Sequence, residues 1–282
     1  MVRKDEKSSK RIELSNDYMF ATIMGQEREL CRRVLETILG FEIESLVYLD
    51  EQMHLKSDVE SHGIRLDVVA KNTGAVYDIE MQKVRMGDIP RRARYYQSQI
   101  DVSELDKGIE YGELKDSYVI FICGFDLFDM GEYVYRFENY DIEKRLPLDD
   151  GTKKIVINTK GTKGDISTEL REFITYIDKP QEIGKSLTTD LVKQLEMKVI
   201  DKNKDRNWRE DVMRMEADRA DLIGIGRQEG LSVGLTRGRK EGEQKGLEIA
   251  SKIFRLFRDG KSEGQIASAV GLDVATVRRV LG

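Results

Sequence analysis

The spacing of apolar residues along the chain predicts helices first and strands after them. Between residues 16 and 39 apolar side chains recur every three or four positions, which predicts one helix, or two that break near Gly25, ended by Gly40. Strands are predicted over residues 41–49, 64–70 and 76–82. The turn sequence Asn72-Thr73-Gly74 joins the last two strands into a β-hairpin.

The remainder of the first 200 residues continues this mixture of helices and strands. Pro90, which closely follows the candidate N-cap Asp88, begins a predicted helix that runs through Ile100. The nearly continuous apolar run at 118–125 is typical of a strand in the centre of a sheet. Shorter strands are predicted over 133–137 and 154–158, and a helix over 166–177. We therefore expect residues 1–200 to form an α/β domain, a mixed sheet flanked by helices.

Residues 201–250 have a different composition. They contain 11 basic and 11 acidic residues, and glycine recurs at every fourth position from Gly226 to Gly246. In a helix these glycines would form a slowly winding stripe, at a cost of about 1 kcal/mol each relative to alanine. Two interpretations stay open, a flexible charged spacer and a helix that pairs closely with a second chain. The segment is too polar for membrane-embedded helix pairing.

Residues 251–282 predict a small helical unit. An amphipathic helix at 251–257 is closed by Asp259-Gly260, and the spacing of Ala267, Gly271 and Val277 then resembles a helix-turn-helix. With six basic and three acidic residues, this unit could contact DNA, and its candidate contacts are Arg278 and Arg279. Self-association through these helices into a homo-oligomer is the open alternative.

The overall charge restricts the classes of partner. The chain has 47 basic and 52 acidic residues, so its net charge of −5 excludes strong non-specific attraction to DNA or to anionic membranes. Only two cysteines occur, without CxxC spacing, which disfavours a disulfide framework or a cysteine-rich zinc site. The N-terminus lacks a signal-like apolar stretch, and no apolar run approaches a membrane span. We therefore expect a cytoplasmic protein.

The predicted hairpin carries acidic side chains on one face. If Ala70 pairs with Ala75, Asp67 faces Asp78 and lies diagonally from Glu80. Diagonal neighbours are about 7 to 8 Å apart at the backbone, so the carboxylates of Asp67 and Glu80 could share one Mg²⁺ or Mn²⁺ ion. Such an ion would polarise a phosphoryl oxygen and activate a water molecule. The alternative is an ordinary solvated sheet face.

Polar residues beside these carboxylates fit a polyanionic substrate. Gln82 points the same way as Glu80 and could orient the attacking water. Between residues 83 and 94 five residues are basic and one is acidic, so the candidate DNA contacts here are Arg85, Arg91, Arg92 and Arg94. Tyr95 and Tyr96 could join this polar surface or pack against the sheet.

Several short motifs occur in order between residues 14 and 180. They are Asn16-Asp17-Tyr18-Met19-Phe20, Arg65-Leu66-Asp67-Val68, Ile79-Glu80-Met81-Gln82, Arg94-Tyr95-Tyr96 and Gly108-Ile109-Glu110-Tyr111. Together they resemble the recombination-promoting nucleases, also described as PD-(D/E)XK nuclease family transposases. The resemblance implies a restriction-endonuclease-like core, metal-dependent cleavage of DNA and a divalent cation, Mg²⁺ or Mn²⁺.

The resemblance also assigns roles to individual residues. It makes Asp67 the aspartate of the motif and Glu80 its acidic partner, with the Met81 carbonyl completing the metal shell. Gln82 stands where the wider superfamily usually has lysine, so this chain lacks a positive charge at that position. Asp17 matches the N-terminal motif as an accessory residue without an assigned role.

Two classes of function remain. The leading hypothesis is a cytoplasmic, Mg²⁺-dependent DNA endonuclease that promotes recombination, with Asp67, Glu80 and Gln82 as its catalytic residues. The competing hypothesis is a non-enzymatic DNA-binding or protein-interaction module with a degenerate nuclease core. A histidine-dependent site is disfavoured because His54 and His62 are the only histidines, and both are expected in loops.

Overall fold

The computed structural model describes residues 11–51, 54–55, 64–65, 67–85, 87–105, 108, 110–182, 184–185 and 188–282. The chain divides into two compact units, Met1–Glu210 and Asp211–Gly282. The first unit contains the sheet and the helices that pack on it, and the second contains helices only.

The first unit begins with two helices rather than one. They are α1 (Asp17–Gln26) and α2 (Arg28–Leu39), and they break at Glu27. Asn16 caps α1 by accepting a hydrogen bond from the Met19 amide at 3.1 Å. Gly40 ends α2 in the left-handed conformation, with φ of +83°, as the sequence predicts.

A six-stranded mixed sheet forms the centre of this unit. Its strands are β1 (Tyr48–Glu51), β4 (Val68–Lys71), β5 (Ala75–Gln82), β6 (Asp116–Cys123), β7 (Val134–Phe137) and β8 (Thr152–Asn158). They lie in the order β1-β4-β5-β6-β8-β7, with β5, β6 and β8 parallel and the other pairs antiparallel. The predicted α/β class with a mixed sheet flanked by helices is confirmed.

The early strands differ from the prediction. Residues 41–47 are irregular, and the first strand begins only at Tyr48. The single strand predicted over 64–70 is wrong: β3 (Ile64–Arg65) pairs with β2 (His54–Leu55) in a separate sheet, while β4 joins the main one. His54 therefore lies in a strand instead of a loop, and His62 lies outside the described residues.

The hairpin of β4 and β5 has the predicted turn but a different register. Ala70 lies opposite Tyr77 rather than Ala75, a slip of two residues. The Asn72 side chain explains this register. Its Oδ1 accepts hydrogen bonds from the amides of Gly74 and Ala75, so neither amide pairs with β4. A slip of two preserves which residues share a face. It moves Asp67 from the predicted place opposite Asp78 toward Glu80.

Helices cover both faces of the sheet. Tyr77, Ile79 and Met81 of β5 share a buried cluster with α1, α2, α4 (Thr168–Asp178) and α5 (Asp190–Lys204). The opposite face packs on α3 (Ile89–Glu104), which begins one residue before Pro90. Asp88 occupies the N-cap position, but its side chain makes no capping hydrogen bond, in contrast to its predicted role.

Each of these two clusters contains one cysteine. Cys31 of α2 lies in the first cluster and Cys123 of β6 in the second, and both thiols are free. Burial raises the pKa of each thiol to about 12.

The second unit ends in a small helical bundle, as predicted. The helices α6 (Arg206–Arg258), α7 (Glu263–Val270) and α8 (Val274–Leu281) contribute Ile253, Ile266 and Val277 to its core. Ser262 and Gln265 form a capping box at the start of α7. Gly271 ends that helix with φ of +70°, which a side chain would strain.

The glycine repeat lies within the long helix α6. A Cβ added at any glycine from Gly226 to Gly246 would meet nothing within 4 Å in the described structure. No contact within this chain therefore requires glycine at these positions. Among the described residues, no helix has the length and the apolar character needed to cross a membrane.

Candidate active site

Two backbone amides, those of Asp67 and Met81, hold the carboxylates of Glu80 and Asp67. The Asp67 amide donates to Glu80 Oε1 at 3.0 Å, and the Met81 amide donates to Asp67 Oδ2 at 3.0 Å. These reciprocal bonds lie beyond the last ladder pair, Val68 with Ile79. Backbone amides therefore position both carboxylates.

Asp78 adds a third carboxylate, which lies beneath this pair. It occupies the same face of β5 as Glu80, two residues earlier, and it is 0% exposed. No N–H group donates to its carboxylate oxygens, and the side chain that interacts with them is the carboxyl group of Glu80. A buried carboxylate that faces another carboxyl group is costly, so this pair needs either a proton or a nearby cation.

Burial and mutual repulsion raise the pKa values of this cluster. The pKa of Asp78 is raised well above its ordinary value, first by burial and then by the charges of Glu80 and Asp67. The same causes, burial and then the charge of Asp67, raise the pKa of Glu80 to about 8. The surrounding protein would not neutralise three ionised carboxylates here, so the site favours the uptake of a proton or a cation.

Arg92 of α3 is the cation that contacts this cluster. Its Nη1 donates to Gln82 Oε1 at 2.8 Å, and its Nη2 lies 3.3 Å from Glu80 Oε2. The Tyr96 hydroxyl accepts from Nε at 3.2 Å and from Nη2 at 3.0 Å. The Gln82 amide donates to the Val84 carbonyl at 2.8 Å, which turns its oxygen toward Arg92.

The oxygen donors of this cluster could hold a divalent cation. Asp67 and Glu80 supply hard carboxylate oxygens. The Met81 carbonyl points to the same side of β5 as its amide, which donates to Asp67. Over the ranges that the structure describes, no three His, Cys, Asp or Glu side chains are grouped to hold an ion by themselves.

The structure also locates the other site residues that the sequence predicts in the first unit. Arg91, Arg94 and Tyr95 are exposed on α3. Arg85 is also exposed and forms an ion pair with Asp129 at 2.7 Å. Asp17 lies in the first turn of α1, which packs on the opposite face of the sheet from α3.

In the second unit Arg278 and Arg279 both lie on α8. Arg278 forms an ion pair with Glu263 of α7 at 2.8 Å, which lowers the pKa of that carboxyl. Arg279 is exposed. The two adjacent arginines therefore differ in how far a neighbour offsets their charge.

Sequence reasoning missed the role of Asp78 and the inward position of Arg92. The alternation of β5 does place Asp78 on the face of Glu80 and Gln82, which is the available signal. The sequence pattern does not show that this face is buried. Its burial becomes visible only in the packing of α3 against the sheet. Tyr96, with its ring centroid 6.1 Å from that of Phe121, packs against the sheet, whereas Tyr95 does not.

Comparison with known proteins identifies a family for most of the chain. A family model described as "PD-(D/E)XK nuclease family transposase" matches residues 14–222, about three quarters of the chain. The matched span includes the sheet, both covering layers and the carboxylate cluster. Searches of curated proteins and of solved structures found no match.

Proposed function

The chain belongs to the PD-(D/E)XK nuclease family transposases, and from this premise we propose that it is a metal-dependent DNA endonuclease that hydrolyses phosphodiester bonds. The reciprocal pair of Asp67 and Glu80 carries the proposal, because it presents two fixed carboxylates beside an arginine. Phosphate hydrolysis needs this combination of a cation site and positive charge.

Asp67 and Glu80 would hold the cation, Mg²⁺ or in its place Mn²⁺, with the Met81 carbonyl as a further ligand. A bound ion supplies Lewis acidity toward the phosphoryl oxygen and toward water. Gln82 would orient the attacking water through its Oε1, since this atom keeps a second lone pair beside the bond from Arg92. The carboxylates need no rearrangement to bind, because backbone amides already position them.

Arginines around the site would hold the DNA backbone. Arg85, Arg91, Arg94 and Tyr95 are all exposed. Guanidinium groups suit phosphate because their planar fork matches two oxygens at once. We extend the proposal to a role in DNA recombination, as the family resemblance suggests, and to a reducing cytoplasm, which the two free cysteines fit.

The test is cleavage of supercoiled plasmid by the purified full chain in Mg²⁺, in Mn²⁺ and in EDTA. We expect nicked or linear product with either metal and none in EDTA. Cleavage that continues in EDTA would contradict the metal site. Binding of DNA without cleavage in any of the metals would favour the non-enzymatic module instead.

The second unit would assist DNA binding through Arg279. Because its charge is exposed and not offset like that of Arg278, Arg279→Ala should weaken DNA affinity in all sequence contexts. Loss of one phosphate contact should reduce the slope of log affinity against log salt by about 1. Fluorescence anisotropy over a salt titration measures both quantities.

The matched control is Arg237→Ala, since Arg237 is exposed on α6 in an ion pair with Glu241. An unchanged salt slope in Arg279→Ala would leave self-association as the role of this unit.

Homo-oligomerisation through the C-terminal helices is the other part of the proposal. Exposed apolar side chains on α6 support it: Leu231, Val233 and Leu235.

A further inference from the structure

We propose that Arg92 is itself a catalytic residue, whose guanidinium contacts the phosphate under attack and offsets the negative charge that develops there. The inference rests on the proposed nuclease function and deepens it. This role differs from that of the exposed arginines, which would bind DNA phosphates other than the one under attack.

The position of the guanidinium is the first argument. Arg92 joins the two side chains with the closest roles in the reaction, because it donates to Gln82 Oε1 at 2.8 Å and approaches Glu80 Oε2 at 3.3 Å. The second distance is at the long end of the hydrogen-bond range, so this contact can be exchanged for a phosphate oxygen. A phosphate bound at the carboxylate pair would therefore lie within reach of Arg92.

The surroundings of Arg92 are the second argument. The Tyr96 hydroxyl accepts from two of its nitrogens, and the guanidinium carbon lies 5.3 Å from the centroid of the Phe121 ring. The side chain is only 24% exposed, in contrast to the exposed Arg91 and Arg94 on the same helix. A cation held in place and partly shielded from water stabilises developing charge more strongly than a mobile surface cation.

The charge of the site is the third argument. Hydrolysis of a phosphodiester increases negative charge on the phosphoryl oxygens in the transition state. The strand position after Met81 offers only the neutral amide of Gln82, so the positive charge must come from another element. Arg92 brings that charge to Gln82 from α3, and a guanidinium stays protonated throughout the working pH range.

The experiment compares Arg92→Ala with the double variant Arg92→Ala, Gln82→Lys, and Gln82→Lys alone corrects for the loss of the amide to which we assign the orientation of water. We expect Arg92→Ala to lower kcat by roughly 100- to 1,000-fold with a smaller change in KM, since the contact is made in the transition state. Gln82→Lys brings an ammonium group to within a few ångströms of the lost guanidinium. It should therefore restore at least about tenfold of the kcat lost in Arg92→Ala, one step of 1.4 kcal/mol.

Two further measurements separate this role from a structural one. Mg²⁺ affinity, measured by calorimetry, should be unchanged or higher in Arg92→Ala, because a cation beside the carboxylates has been removed. A structural role predicts the opposite, weaker Mg²⁺ binding. The matched control is Arg171→Ala, since Arg171 makes the same kind of contact with Tyr133, at 2.9 Å, in another layer and should keep full activity.

The outcomes are distinct. If the wild type cleaves and Arg92→Ala stays within about threefold of it, the proposal for Arg92 is overturned while the nuclease function stands. Failure of Gln82→Lys to restore any activity, together with weakened Mg²⁺ binding in Arg92→Ala, would also overturn it. If the wild type itself cleaves nothing, the nuclease function fails and the catalytic role of Arg92 fails with it.

Discussion

Asp67→Asn and Glu80→Gln should each lower metal-dependent DNA cleavage by at least about 100-fold, the largest effects that we expect from single substitutions. Both changes keep the size of the side chain and remove its negative charge, and neutral amides are poor ligands for Mg²⁺. The amide oxygen of each variant can still accept the backbone hydrogen bond of the Asp67 or Met81 amide, so the expected loss comes from the removed charge. Plasmid cleavage at saturating Mg²⁺ measures the loss, and calorimetry measures the metal affinity.

Glu172→Gln provides the control for these two variants. Glu172 is also a buried carboxylate that accepts backbone amides, those of Thr188 and Thr189, both at 2.7 Å. Its substitution should cost stability and leave cleavage unchanged. Full cleavage by both Asp67→Asn and Glu80→Gln would show that the carboxylate pair does not carry the reaction.

The stability of the metal-free chain should decrease as the pH rises, by on the order of a few kcal/mol through Glu80 alone. The pKa of Glu80 is about 8 in the folded chain, against an ordinary value of 4.5. The folded state therefore binds this proton more tightly than the unfolded state. Its contribution is complete below pH 4.5 and is lost as the pH rises through about 8, and Asp78 acts in the same direction.

Comparison of the wild type with Glu80→Gln isolates this contribution from the other carboxyl groups. Thermal or urea unfolding in EDTA should show Glu80→Gln gaining stability relative to the wild type between pH 5 and pH 9, the window that Glu80 sets. Added Mg²⁺ should raise the wild-type midpoint more at pH 8.5 than at pH 6, because the ion competes with a proton. Parallel stability curves for the two proteins across this window would contradict the assignment.

The sequence predicts which residues face the site better than it predicts their alignment. The alternation in β5 correctly separates Asp78, Glu80 and Gln82 from Tyr77, Ile79 and Met81. The register differs because a slip of two residues leaves every side chain on its face, so hydrophobic patterning carries no information about it. The side chain of Asn72 decides between the two registers, since it holds the amides of Gly74 and Ala75. The consequence is large, because only the observed register makes Asp67 and Glu80 immediate neighbours.

The burial of the site is the part that the sequence does not contain. Arg92, Arg91 and Arg94 look alike in the basic stretch after β5, yet only Arg92 turns inward. Which arginine turns inward depends on which face of α3 packs against the sheet. That face carries the buried residues Ala93, Tyr96 and Ile100. In the same way, Asp78 is an ordinary polar residue of an alternating strand until a helix covers it. The sequence thus indicates which residues share a face of the sheet, whereas their electrostatic setting depends on the packing of α3.

The two buried cysteines allow local opening of each layer to be measured by thiol labelling. Cys31 lies under the helices on one side of the sheet, and Cys123 lies under α3 on the side of the carboxylates. With a pKa of about 12, each thiol reacts with an alkylating reagent only while its layer is transiently open. The labelling rate of Cys123 therefore reports local opening of the layer that contains α3, while the rate of Cys31 reports opening of the opposite layer and serves as an internal reference.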